Sequence, residues 1–122
     1  MSDVKVKGLA QVALTVSDLD RAKAFYGGRL GLAHLFESEP RLAFFQAGAT
    51  RLMLSEAKGE APAPKTILYY GVDDVPAAHA ALGGAAEPRE QAPRIITRLE
   101  GRDVWLAFVD DGVGNMVGLI SG

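Results

Sequence analysis

An internal repeat constrains this chain more than any other feature. Val16-Ser17-Asp18-Leu19-Asp20-Arg21-Ala22-Lys23-Ala24 aligns with Val72-Asp73-Asp74-Val75-Pro76-Ala77-Ala78-His79-Ala80, and Leu42-Ala43-Phe44 aligns with Leu106-Ala107-Phe108. Each triplet leads through a turn, one residue longer in the second half, into a short apolar segment: Leu52-Met53-Leu54 and Val117-Gly118-Leu119. A chain that writes the same burial pattern twice must bury it twice, so two like units are expected.

Within each half the order of signals is strand, helix, then three strands. The opening strands, 9–16 and 67–72, are apolar and rich in β-branched or aromatic residues. Ser17 is the expected N-cap of the first helix, with Asp20 three residues on, and Asp73 or Asp74 takes that part in the second, where Pro76 suits a first turn. Leu19, Ala22, Tyr26 and Leu30 recur at helical spacing with Phe25 beside them, as do Val75, Ala78 and Leu82. Gly27, Gly28 and Gly31 are expected to loosen and stop the first helix, and Gly83-Gly84 to stop the second. The later strands are expected near 34–37, 41–46 and 51–55, then 94–99, 104–109 and 116–120, with Asp111-Gly112-Val113-Gly114-Asn115 turning between the last two. The reading is an α+β fold of two βαβββ modules, at about 7–56 and 66–121, in one domain spanning 1–122. The linker, about 57–65, holds Pro62 and Pro64.

The totals narrow the function classes. A net charge of −2 leaves no basic footprint for nucleic acid. The absence of cysteine excludes disulfides, thiolate catalysis and zinc-thiolate sites. No apolar run approaches the ~20 residues that span a bilayer. The N-terminus, MSDVKVKG, does not read as a signal peptide, so a cytoplasmic location is expected.

Residues 8–22, followed by Phe25-Tyr26 and Leu30-Gly31-Leu32, resemble the opening strand and helix of the glyoxalase/bleomycin resistance/extradiol dioxygenase (vicinal oxygen chelate) superfamily. Val72-Asp73-Asp74-Val75 is similar to its second opening, and Trp105-Leu106-Ala107-Phe108 with Asp111, Gly114 and Asn115 to its closing hairpin. The family commonly has Asp-Pro-Asp-Gly-Asn in that turn, where this chain carries Gly112 and Val113 in the middle. The resemblance implies a curved, mostly antiparallel sheet around a cavity. It does not specify a function, because this fold hosts lyases, epimerases, dioxygenases, thiol transferases and plain drug binders.

Catalytic relatives hold one divalent ion on inward positions of the opening and closing strands. Carried over residue by residue, those positions are Gln11, Ile67, Met53 and Gly118. Only Gln11 has a usual donor: isoleucine and glycine side chains have none, and a thioether is soft. No metal and no cofactor are therefore expected. His34 and His79 are expected on the surface or in helix packing, and Glu56 points the wrong way to replace Met53.

Alternation along the strands puts Thr15, Ser55 and Tyr69 on the same inward face as Gln11, Met53, Ile67 and Gly118. Trp105 and Arg98 are also placed toward the cavity. Such a lining suits a small, partly aromatic organic molecule. The expected function is metal-independent small-molecule binding, as in resistance or sequestration proteins of the superfamily, by a homodimer. The alternatives are a glyoxalase- or dioxygenase-like enzyme with a degenerate metal site, and a structural or interaction protein with a collapsed cavity.

Overall fold

Two like units emerge, 1–61 and 62–122, each with its own four-stranded sheet and helix. The computed structural model describes residues 4–5, 7–57, 66–85 and 87–121; beyond Ala57, the expected linker lies outside these residues.

In the first unit the elements are β1 (Gln11–Val16), α1 (Leu19–Lys23), β2 (Ala33–Ser38), β3 (Leu42–Ala47) and β4 (Thr50–Glu56). The second repeats them as β5 (Leu68–Gly71), α2 (Val75–Ala81), β6 (Arg94–Leu99), β7 (Arg102–Asp110) and β8 (Met116–Ser121). The sheet orders match, β1-β4-β3-β2 and β5-β8-β7-β6. Only the opening strand of each unit runs parallel to its neighbour. Each unit also carries one bulge in the strand after its helix, between His34 and Phe36 in β2 and between Ile95 and Thr97 in β6. The α+β fold of two βαβββ modules is thus present, each module forming a mixed four-stranded sheet.

Each helix buries one sheet face. In the first unit α1 packs on β3 and β4, and Leu19, Ala22, Phe25 and Tyr26, like Val16, Phe45, Leu52 and Leu54, are nearly or wholly excluded from solvent. The N-cap is Asp18 rather than Ser17: its carboxylate accepts from the Arg21 N–H at 3.1 Å. Around Gly27-Gly28 the helix loosens into a π-helical segment, Ala24–Arg29, closed by Leu30 N–H donating to Phe25 O at 2.7 Å, and it ends before Gly31 at φ 79°. A Cβ on Gly27 would stand 2.9 Å from the Phe45 ring, so glycine here permits close approach. Glu56 anchors the helix start. Its carboxylate accepts from the Leu19 N–H at 2.8 Å and from Arg41 Nε and Nη2 at 3.1 and 3.2 Å. That pairing raises the Arg41 pKa.

In the second unit Asp74 caps α2, accepting from the Ala77 N–H at 3.0 Å. Val75, His79 and Leu82 are buried, and α2 packs on β7 and β8. His34, by contrast, is half-exposed beside Glu37 at 3.1 Å.

Tyr70 gives a first test of this packing. Its hydroxyl is buried with no partner among the described residues, and its pKa is pushed up to about 12, first by burial and then by the negative charge of Asp111. The unfolded phenol ionises near 10, while the folded one keeps its proton to about 12. Its contribution to stability is therefore complete below pH 10 and is lost as pH rises toward 12, by about 2–3 kcal/mol. Denaturant titrations at pH 8, 10 and 12 should show this fall in the wild type and not in Tyr70→Phe. At pH 8 the variant should be as stable or slightly more so, because an orphan buried hydroxyl is removed.

Candidate functional site

The face of the first sheet turned away from α1 is built by strand alternation. Burial in β1 alternates, leaving Gln11, Ala13 and Thr15 exposed while Val12, Leu14 and Val16 turn inward. The parallel register sets Gln11 beside Arg51, Ala13 beside Met53 and Thr15 beside Ser55. Antiparallel pairing then brings Gln46 to Arg51, Phe44 to Met53 and Leu42 to Ser55, and β2 adds Ala33, Phe36 and Ser38. Three rows cross the sheet. The first is Gln11–Arg51–Gln46, the second Ala13–Met53–Phe44–Phe36, and the third Thr15–Ser55–Leu42–Ser38.

Side-chain contacts lock the first two rows together. Arg51 Nε donates to Gln11 Oε1 at 2.6 Å, and Gln11 Nε2 lies 3.9 Å from Met53 Sδ. The Arg51 guanidinium sits over the Phe44 ring, 5.7 Å from its centroid, in cation–π range. Phe36 stacks on the other side chain of that pair, with centroids 4.3 Å apart and planes at 20°. Phe44 is thereby only 8% exposed on the face turned away from α1, whereas Phe36 is 47% exposed.

In the second unit the corresponding face carries Tyr69, Gly118 and Phe108 as cross-strand neighbours. The Tyr69 ring lies across Gly118, where an added Cβ would come within 2.7 Å of it, and meets Phe108 edge-on at 5.9 Å. Ile67 precedes β5 and is 38% exposed. Trp105 does not join this group. It pairs with Ser121 and Ile95, one step out of phase with the Phe108–Gly118 pair, so it lies on the α2 side of the sheet. Arg98 is out of phase in the same way, opposite Asp103, and its Nη2 donates to Gly101 O at 3.2 Å. Both orientations correct the expectation that these side chains face the cavity. On the open face of the first unit the cation is Arg51, beside Gln11.

The residues at the family's metal positions do not fit a divalent ion. The sole oxygen donor, Gln11 Oε1, is already bonded to a guanidinium, whose positive charge stands where a cation would approach. Met53 offers a thioether, Ile67 a hydrocarbon, and the Gly118 position lies beneath the Tyr69 ring. Among the described residues no three His, Asp or Glu side chains converge.

A doubled βαβββ unit, with one sheet face under a helix and the other left to apolar and amide side chains, defines a class. The chain belongs to the Glyoxalase/Bleomycin resistance protein/Dioxygenase superfamily, whose family model matches residues 8–113. Its fold is similar to that of a lactoylglutathione lyase from Agrobacterium tumefaciens, at 22% identity and TM-score 0.66, covering 97% of this chain and 96% of that one. It is equally similar to TnmS3, an antibiotic-binding protein from Streptomyces, at 22% identity and TM-score 0.66, covering 97% and 98%. The fosfomycin resistance protein FosX from Listeria monocytogenes, solved with Mn(II) and a dihydroxypropylphosphonic acid, shares 14% identity at TM-score 0.69, covering 97% and 94%. No curated protein matches the chain. The neighbours include both enzymes and binders, so likeness at this distance carries the fold and leaves the activity to the site.

Proposed function

We propose that this chain is a metal-independent small-molecule binding protein that works by sequestration, as a homodimer. One observation carries the reading: the metal positions of the family are taken up by side-chain contacts that suit an organic ligand and oppose a cation. Gln11 braces Arg51, Met53 and Phe44 form an apolar floor, and Tyr69 closes over Gly118. An apolar lining with few fixed polar groups is the usual composition of a small-molecule site. The residues proposed for ligand contact are Gln11, Thr15, Met53 and Ser55, joined by Arg51 and Phe44, on the open face of the first unit, and Ile67, Tyr69 and Gly118 on that of the second. Trp105 and Arg98, on the opposite side of their sheet, are left out.

The test combines metal content with ligand screening. Protein purified without an affinity tag should hold far less than one Ni, Zn, Mn or Fe per chain by elemental analysis. A panel of planar aromatic compounds should contain members that raise the melting temperature equally with and without EDTA. Stoichiometric metal, or stabilisation that EDTA abolishes, would overturn the metal-independent reading, and a panel without a single stabilising compound would overturn binding.

A further inference from the structure

The row order of the first sheet's open face reads as a ligand template. Arg51 stands between two neutral amides, Gln11 and Gln46, on adjacent strands. None of the residues sharing this face across β1 to β4 is Asp or Glu. Among the described residues no carboxylate stands within ion-pair distance of Arg51, although the chain has more acids than bases. Arg41, by contrast, is matched by Glu56 at 3.1 Å.

The guanidinium is also held in place. Gln11 accepts from Nε, which leaves the edge formed by Nη1 and Nη2 for a planar two-oxygen acceptor, and Phe44 supports one face of the fork. A planar fork fixed before binding loses less entropy on forming its bonds than a free side chain would.

Beside this charge lies the row Ala13–Met53–Phe44–Phe36, with the half-exposed Phe36 offering a ring face. Beyond it, on the same face, come the hydroxyls of Thr15 and Ser55. At ~3.3 Å per residue, Arg51 and Ser55 stand roughly 13 Å apart along the strand, with the apolar row midway. We infer that the ligand is a flat aromatic carboxylate, its carboxylate on the Nη edge of Arg51, its ring over Met53 and Phe36, and its far end toward Thr15 and Ser55. This inference rests on the binder reading and names the chemistry of that same site.

The test is isothermal titration of 2-naphthoate and its neutral isostere 2-naphthamide against wild type, Arg51→Met and Arg51→Lys, with thermal melts confirming that the variants fold. Naphthoate should bind wild type at least ~10-fold more tightly than naphthamide, a charge-assisted bidentate contact being about twice as strong as a neutral one. Arg51→Met should abolish that preference by weakening naphthoate far more than naphthamide, and Arg51→Lys should keep only part of it. Equal binding of the two compounds to wild type would overturn the carboxylate assignment and leave small-molecule binding standing. A preference that survives Arg51→Met would overturn the role of Arg51. If neither compound binds wild type, the assignment fails, and the binder reading then stands or falls on the wider panel described above.

Discussion

Gly84→Ala should destabilise the second unit by about 3 kcal/mol, since overpacking alone costs about 1–3 kcal/mol and here a buried ring is displaced as well. The three atoms nearest an added Cβ would be His79 Cε1, Nε2 and Nδ1, so the methyl group and the imidazole would claim the same space. His79 is 4% exposed and cannot swing out without opening the α2 side of the sheet. The turn cannot readily retreat either. Gly83 lies in the left-handed region at φ 80°, and the Gly84 N–H donates back to His79 O at 2.8 Å. Urea titration should report the loss. His79→Ala makes room, so the double variant should recover ~2 kcal/mol relative to the sum of the single changes, a coupling in the range for residues in contact. A Gly84→Ala protein as stable as wild type would show that His79 does not occupy this space in solution.

That pair also marks where sequence reading stops. The repeat, the strand order within each half and the helix faces were legible because each depends on local periodicity written twice. Gly83-Gly84 was legible as a helix end. What the second glycine accommodates is a tertiary contact, and no spacing rule announces it. The same holds for Gly27: the glycines were legible as the place where the helix loosens and ends, but the close approach of the Phe45 ring to Gly27 was not.

The candidate site divides along the same line. Gln11, Thr15, Met53 and Ser55 follow from alternation in β1 and β4, and their shared face is the one alternation gives. Arg51 lies two residues before Met53 and was available to the same argument, but a charge at the edge of an apolar run reads as a strand boundary. Its meaning came only with the parallel register, which sets it against Gln11 across 40 residues of sequence. Trp105 failed for the opposite reason. Val104 to Val109 is apolar at every position, so alternation is silent there and the pairing of Phe108 with Gly118 decides the face. The repeat held the missing clue: Phe108 aligns with Phe44, which pairs with Met53 just as Phe108 pairs with Gly118.

Asp111→Ala should cost about 3–4 kcal/mol, because each buried polar group left without its partner forfeits about 1–3 kcal/mol. The carboxylate is 5% exposed and organises the whole turn between β7 and β8. Oδ1 accepts from the N–H groups of Val113 and Asn115 at 2.8 and 2.9 Å, and Oδ2 from Asn115 Nδ2 at 3.0 Å. The backbone closes the loop, Asp111 N–H donating to Asn115 O at 3.0 Å. Gly112 and Gly114, at φ 80° and 107°, supply the conformations that let the chain wrap around one side chain. Val113, in place of the charged residue common at the family's turn, is 1% exposed: it is an inward plug and not a flexible tip. Asp110 is the internal control. It is exposed and accepts a single bond from the Gly112 N–H at 2.6 Å, so Asp110→Ala should cost no more than about 1 kcal/mol. Equal losses for the two variants in urea titrations would mean that the turn is held by its backbone and not by the Asp111 carboxylate.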